Sequence, residues 1–383
     1  MKKIAIIGAG LAGLNCARLL SQNENVEVSL FDKNNFIGGR VKTTELDGYL
    51  LDEGFQVLLP GYPEAKRAFD LDALKLRRFQ AGAKIRIGGR YHMVGDPIRE
   101  PSTLFSTLLA PIGSFTDKLK ILKLKNPNLD DAKGLNCEQY LNKVGFSSKI
   151  IDSFFRPFFS GVFLDTKLDV PAEYFLFLYK TFSKSNACLP EAGMGELAKN
   201  LFDQSKNIKL ELGAKVDIKN DKQLSVDGSD ADFDFIVKAY SEEESFHSVT
   251  TDYFVSDNPV MLEPALLLNG DGKGVINHVA PLNHVQRSYG EQGTLLSVNL
   301  IGDHINASIE KVQDELNEWL PGHSFRHLKR IEVKKALPKL SNYYNENIVN
   351  DGIYLCGDHL QSPSINGALK SGRLAAEKIL SLI

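Results

Sequence analysis

At 383 residues the chain is too long for one ordinary domain and comfortable for two. With 43% apolar and 24% charged residues it has the balance of a folded globular protein, not of a disordered one. A net charge of -3 gives no basic face for nucleic acid. The N-terminal apolar run stops at Gly8, too soon for a signal peptide, and no apolar stretch reaches spanning length, so the expected compartment is the cytoplasm. Cys16, Cys137, Cys188 and Cys356 form no C-x-x-C and read as small core residues in a reducing environment.

Lys3 to Ile7 is a short apolar run, the pattern of a strand covered on both faces. It leads into Gly8-Ala9-Gly10-Leu11-Ala12-Gly13 and then a helical pattern with Leu11, Leu14, Ala17 and Leu20 on one face. Gly8 permits a tight turn, Gly10 lets a pyrophosphate approach the backbone, and Gly13 lets the helix lie close on the strand. A second strand, Val26 to Phe31, ends on Asp32, placed to take ribose hydroxyls. Strand, glycine motif, helix and closing acid together specify a dinucleotide site.

Gly38-Gly39-Arg40 follows at once, where a nicotinamide site has no need of it. Residues 4 to 40 resemble the N-terminal signature of the FAD-dependent amine oxidoreductase superfamily, which includes monoamine oxidases, protoporphyrinogen oxidases and phytoene-desaturase-like enzymes. The resemblance implies that Gly8, Gly10, Leu11, Ala12, Gly13, Phe31, Asp32, Lys33, Gly38, Gly39 and Arg40 hold FAD, with the Arg40 donors near the diphosphate. Asp32 stands where that family more often has Glu.

After a turn at Asp47-Gly48, the resemblance sets Gly54, Phe55 and Gln56 against the flavin ring. The Gln56 amide is expected either to bond the flavin edge or a substrate, or to face water at a strand end. Pro60-Gly61-Tyr62-Pro63 marks an exit to a second domain. Residues 64 to 183 read mostly as helices. Phe115, Leu119 and Leu122 form a stripe beside Lys118, Lys120, Lys123 and Lys125, so this helix lies either on an anionic membrane surface or as a solvated domain helix. Phe154, Phe155, Phe158 and Phe159 recur at helical spacing, followed by Phe163, Tyr174, Phe175, Phe177, Tyr179 and Phe182, as core or as the wall of an apolar pocket. Arg156 in their midst is expected to anchor an acidic substrate group or an internal carboxylate such as Asp165.

Leu189 to Leu197 resembles the family's Pro-x-x-Gly-Met return to the cofactor domain. Strand-like pieces flank a turn within 208–218, and others lie at Gln223 to Val226 and Phe233 to Val237. Val216 matches the position that packs on adenine, and Ala239 closes the section. Ser241 to Asp252 is polar and acidic and reads as a linker or mobile loop. Ala265 to Leu268, Gly274 to Val279 and Thr294 to Ile301 read as strands. A helix follows with Ile309, Val312, Leu316 and Leu320 on one face. His323 and His327 lack a third ligand, so no metal site is expected, and no Ser/His/Asp set supports nucleophilic catalysis.

Ile353 to Asp358 is a strand ending in Gly357-Asp358, and Ser364-Ile365-Asn366-Gly367-Ala368 opens a last helix. This resembles the superfamily's C-terminal FAD signature, which implies that Gly357, Asp358, Ile365, Asn366, Gly367 and Ala368 meet the ribityl and ring end. The expected fold is α/β: a Rossmann-like FAD-binding domain (GR2-type) from 1–63, 184–240 and 337–383, with a second α+β substrate domain inserted as 64–183 and 241–336. The resemblance implies a FAD-dependent oxidoreductase, with hydride passing from a bulky apolar small molecule to the flavin. Phe55, Gln56 and Ile365 face the ring and no catalytic residue is identified. FAD is expected to be non-covalent, since 325–350 holds no cysteine. Small-amine oxidation and a flavin-free interaction protein on the same fold are the alternatives.

Overall fold

The computed structural model describes every residue except 97, 98, 122, 123, 125, 126, 243, 244, 257 and 341–347. Leu122, Lys123 and Lys125 of the basic helical stripe therefore lie outside the described residues.

Two large sheets carry the fold. The first has six strands in the order Val349–Asn350, Ile353–Leu355, Phe235–Lys238, Lys2–Ile7, Val26–Asp32, Ile208–Leu212. All neighbours are parallel except the outermost pair. Its first strand is apolar throughout its inner part because both faces are covered. Ile4 and Ile6 join the cluster with Leu14, Ala17 and Leu369 of the helices Leu11–Leu20 and Ile365–Leu380. Ala5 and Ile7 instead meet Leu224 and Val216 of a small sheet, Val216–Ile218, Gln223–Val226 and Ser229–Asp232. The two helices cross at backbone contact: a Cβ on Gly372 would stand 2.1 Å from the Ala12 carbonyl oxygen. Asn15 clamps the crossing, donating to the Leu369 carbonyl at 2.7 Å.

The second sheet has seven strands: Arg326–Pro338, Phe246–Ser256, Thr294–Ile301, His278–Pro281, Leu266–Asn269, Gly82–Ile87, Arg90–Gly95. Two sequence expectations are corrected here. The stretch 241–252 is not a linker over its second half, because Phe246–Ser256 is an inner strand paired on both sides. Its Val249-Thr250-Thr251 run favours the pleated surface, and the acids before it concealed that. The segment 64–183 is also not only helical. Gly82–Ile87 and Arg90–Gly95 form a hairpin turning at Gly88 and Gly89, both with positive φ (+58° and +75°).

A helical, aromatic layer includes Cys137–Val144, Arg156–Phe163 and Ala172–Lys184, with Arg156–Phe163 packed on the strands Leu266–Asn269, His278–Pro281 and Thr294–Ile301 of the second sheet. Asn136 and Gln139 cap the first of these reciprocally, and Gly145 ends it in the left-handed region. A π-helical turn over Ile151–Phe155 feeds Arg156–Phe163, where Pro157 lacks the N–H that would continue the ladder. Among the described residues, no helix is long and apolar enough to cross a membrane.

Candidate active site

The helix Leu11–Leu20 starts on Gly10, which has no side chain to cap the first turn. A Cβ built on Gly10 would enter open space, so the cradle above these N–H groups is free for a ligand. Gly13 shows the opposite: its Cβ would lie 1.9 Å from the Gly8 carbonyl oxygen, so only glycine lets helix and strand close up. Asp32 is buried beside this cradle. One carboxylate oxygen accepts from the Ala9 N–H at 2.7 Å, the other from the Asn34 N–H and side chain at 2.8 and 2.9 Å. A carboxylate offers roughly four acceptor sites and three are taken here, so Asp32 keeps one for a ribose hydroxyl.

Arg40 joins the N-terminal motif to the C-terminal one. Its guanidinium donates to Asp358 at 2.5 Å and to the Ala336 carbonyl at 2.9 Å, and it lies 5.9 Å from the centre of the Phe246 ring. Gly357, one residue earlier, holds φ +150° and donates to Ser371 at 2.8 Å. Ser364 caps the last helix by accepting from the Gly367 N–H at 3.0 Å. The positive end of a sixteen-residue helix is thus fixed at the cavity wall.

The loop after Tyr49–Asp52 is set by a buried carboxylate. Asp52 accepts from Thr43 at 2.5 Å, Tyr289 at 2.7 Å and the Met194 N–H at 2.9 Å, while its carbonyl accepts from Tyr253 at 2.6 Å. Burial pushes the Asp52 carboxyl up to about 6 against the opposing pull of these donors. Gln56 lines the cavity and is also tied into its own loop. Its amide donates to the Arg40 carbonyl at 2.8 Å and to the Glu53 carbonyl at 2.9 Å, so it ties the loop to the Gly-Gly-Arg motif.

Gly10, Asp32, Arg40, Gln56, Gly357, Asp358 and Ser364 border one cavity of about 1420 Å³, which continues from the glycine-lined cradle into an aromatic arm. Phe154, Phe158, Phe159, Tyr174, Tyr179 and Phe182 wall the arm, whereas Phe155, Phe163 and Phe175 are core behind it. The stripe therefore serves as both. Tyr174 reaches across to donate to the Pro363 carbonyl at 2.7 Å, anchoring the arm to the last helix. His278 lines the same cavity with its ring 5.0 Å from Phe55 and its Nδ1 2.8 Å from the Asn277 side-chain oxygen. Burial lowers its imidazole to about 4, so it is neutral at physiological pH.

Of the predicted cofactor residues, Gly13, Asn366 and Gly367 stand off the cavity wall and the others line it. Asn366 accepts from the Glu64 N–H at 3.1 Å, and a Cβ on Gly367 would meet the Ser362 carbonyl oxygen at 1.9 Å. Arg156 is bound to internal carboxylates, but to Glu138 at 2.6 Å and Asp152 at 3.1 Å, not to Asp165. The His327 side chain bonds Asp252 at 3.0 Å across the neighbouring strand, sharing that carboxylate with Arg330. The four cysteines are free, buried and off the cavity wall. Sequence reading missed Gln80, Arg99, His278 and Asn299 on the wall. For His278 and Asn299 the only local signal was polarity inside strand-like runs, whereas Gln80 and Arg99 lie outside the strands and gave none.

A family model described as flavin containing amine oxidoreductase matches residues 11–241. An uncharacterised protein of Methanocaldococcus jannaschii is 23% identical over 385 aligned residues, covering 93% of each chain. Protoporphyrinogen oxidase 2 of Arabidopsis thaliana is 25% identical over 167 residues, 42% of this chain and 32% of that one. In fold, the chain is similar to the crystal structure of an oxidoreductase from Methanosarcina mazei, with a TM-score of 0.76 at 18% identity, covering 99% of this chain and 100% of that one. With the family model spanning more than half its length, the chain belongs to the flavin-containing amine oxidoreductase family and is an oxidoreductase of that superfamily.

Proposed function

We propose that the protein is a FAD-dependent oxidoreductase that binds FAD non-covalently and oxidises a bulky, largely apolar small molecule of the desaturase or porphyrinogen-oxidase kind. The carrying observation is the continuity of the glycine-lined cradle with the aromatic arm in one cavity of about 1420 Å³. Bound FAD supplies the two-electron acceptor for a hydride leaving carbon. In this reading the N–H groups that open Leu11–Leu20 hold the pyrophosphate and Asp32 holds the ribose. Arg40, Gly357 and Asp358 hold the far end, and Val216 and Ala239 flank the adenosine half. Phe55 and Ile365 shape the reacting end. The start of the last helix favours negative charge there. The aromatic arm excludes water and orients the substrate, which suffices for chemistry that needs no protein base. The cofactor domain is assigned to 1–63, 184–240 and 337–383, and the substrate domain to 64–183 and 241–336.

The test is anaerobic titration of the flavin-replete protein with carotenoid precursors, porphyrinogens and small amines. Bleaching of the flavin band by a bulky apolar compound is expected. Efficient bleaching by a small amine alone would overturn the reading.

A further inference from the structure

The two short helices Leu104–Leu109 and Phe115–Ile121 turn their apolar side chains outward. Phe105 is 77% exposed, Leu109 82%, Phe115 62% and Leu119 50%, with Leu104 and Leu108 also exposed. Such a concentration within sixteen residues is not ordinary solvated surface, where large apolar side chains are scattered singly. Four of the six, Leu104, Leu108, Phe115 and Leu119, also line the large cavity. The patch is therefore the cavity's rim, apolar on its outer face and its inner face alike.

Positive charge gathers beside the second of these helices. Asp117, the acid of the second helix, is turned inward and buried, accepting from the backbone N–H and hydroxyl of both Ser114 and Ser147. Lys118 and Lys120 donate to backbone carbonyls (Leu108 and Ala110, and Gly145), so neither positive charge is cancelled by those partners. Lys149 is exposed and close enough to Lys118 to repel it.

We propose that this rim docks on the surface of a lipid bilayer containing anionic lipids, so that the cavity opens into the acyl region. Phe105 and Leu109 insert, Lys118, Lys120 and Lys149 meet the headgroup phosphates, and an apolar ligand passes between lipid and cavity without crossing water. A protein partner would also bury apolar side chains. The bilayer is favoured because the patch surrounds an opening into an apolar cavity and carries positive charge without a directed acceptor pattern.

The experiment is co-sedimentation of the full-length, flavin-replete protein with vesicles of phosphatidylcholine alone or of equal parts phosphatidylcholine and phosphatidylglycerol. Binding is expected to the anionic vesicles and to fall as salt rises. The pair Phe105→Ser and Leu109→Ser, both off the cavity wall, should weaken it roughly tenfold or more, and Lys149→Gln about fivefold. The visible spectrum reports that each variant is still folded. Failure to sediment with either vesicle, or binding unaffected by the double substitution, would overturn the proposal. A concentration-dependent dimer dispersed by the same double substitution would overturn it too, since a second copy would then cover the patch. None of these outcomes bears on whether FAD is bound.

Discussion

Arg40 and Asp358, 318 positions apart in the chain, share a hydrogen bond of 2.5 Å. Asp358 is buried, so removing Arg40 leaves a carboxylate without its charged partner, at a cost of about 1–3 kcal/mol. Arg40→Ala is expected to retain the fold but purify with little flavin, and Asp358→Asn to lose less, since it keeps an acceptor for the guanidinium. The ratio of visible to ultraviolet absorbance after gel filtration measures both. Full flavin content in Arg40→Ala would show that the pair has no part in holding the cofactor.

Gly10 and Gly13 separate binding from folding. Gly10 has φ -74°, open to any residue, and space beyond its missing Cβ. Gly10→Val should therefore melt like the parent yet bind flavin roughly 10–100-fold more weakly, by filling the cradle. Gly13→Ala should lose about 1–3 kcal/mol of stability, because its Cβ would meet the Gly8 carbonyl oxygen at 1.9 Å. Thermal melts and flavin titrations of the two variants check the contrast.

What the sequence disclosed and what it hid follow one physical line. The walls of the glycine-lined cradle were readable because they sit in local motifs: a strand, glycines with fixed duties, a helix start. Thr294–Ile301 was readable in full because its eight residues are all buried and strand-forming. The strand Phe246–Ser256 was hidden behind Glu242, Glu243 and Glu244, whose charges look like a linker. The hairpin at Gly82–Ile87 was overlooked although Ala83, Ile85 and Ile87 alternate with Lys84 and Arg86. His278 could not be assigned at all. Its place beside Phe55 is a ring contact between residues more than two hundred positions apart.

Two buried groups bend stability with pH in opposite senses. Asp52, raised to about 6 from its ordinary 3.8, binds a proton more readily folded than unfolded. Its contribution is full below pH 4 and is lost as pH rises to 6, by about 3 kcal/mol. His278, lowered to about 4 from 6.5, does the reverse, and stability is lost as pH falls from 6.5 to 4, again by about 3 kcal/mol. The two largely cancel in the parent. Asp52→Asn should expose a stability that rises steeply with pH between 4 and 6.5, and His278→Gln one that falls between 4 and 6. Urea denaturation at a series of pH values distinguishes them, and parallel profiles would refute the assignment.

The aromatic arm is tested at Phe158, whose ring packs 5.0 Å from Phe159 and 5.3 Å from Phe182 on the cavity wall. Phe158→Ala is expected to cost about 3 kcal/mol of stability and to raise KM about tenfold for the cognate substrate without reducing flavin content. An unchanged kcat/KM would place the substrate elsewhere.

The most direct measurement is the identity and amount of cofactor released by acid from the purified protein. The account predicts a yellow protein that gives up close to one FAD per chain into the acid supernatant, and a Gly10→Val variant that remains folded but purifies with less flavin. A parent that is colourless and refuses added FAD, releases a nicotinamide dinucleotide, or keeps its flavin bound to the precipitate would contradict it.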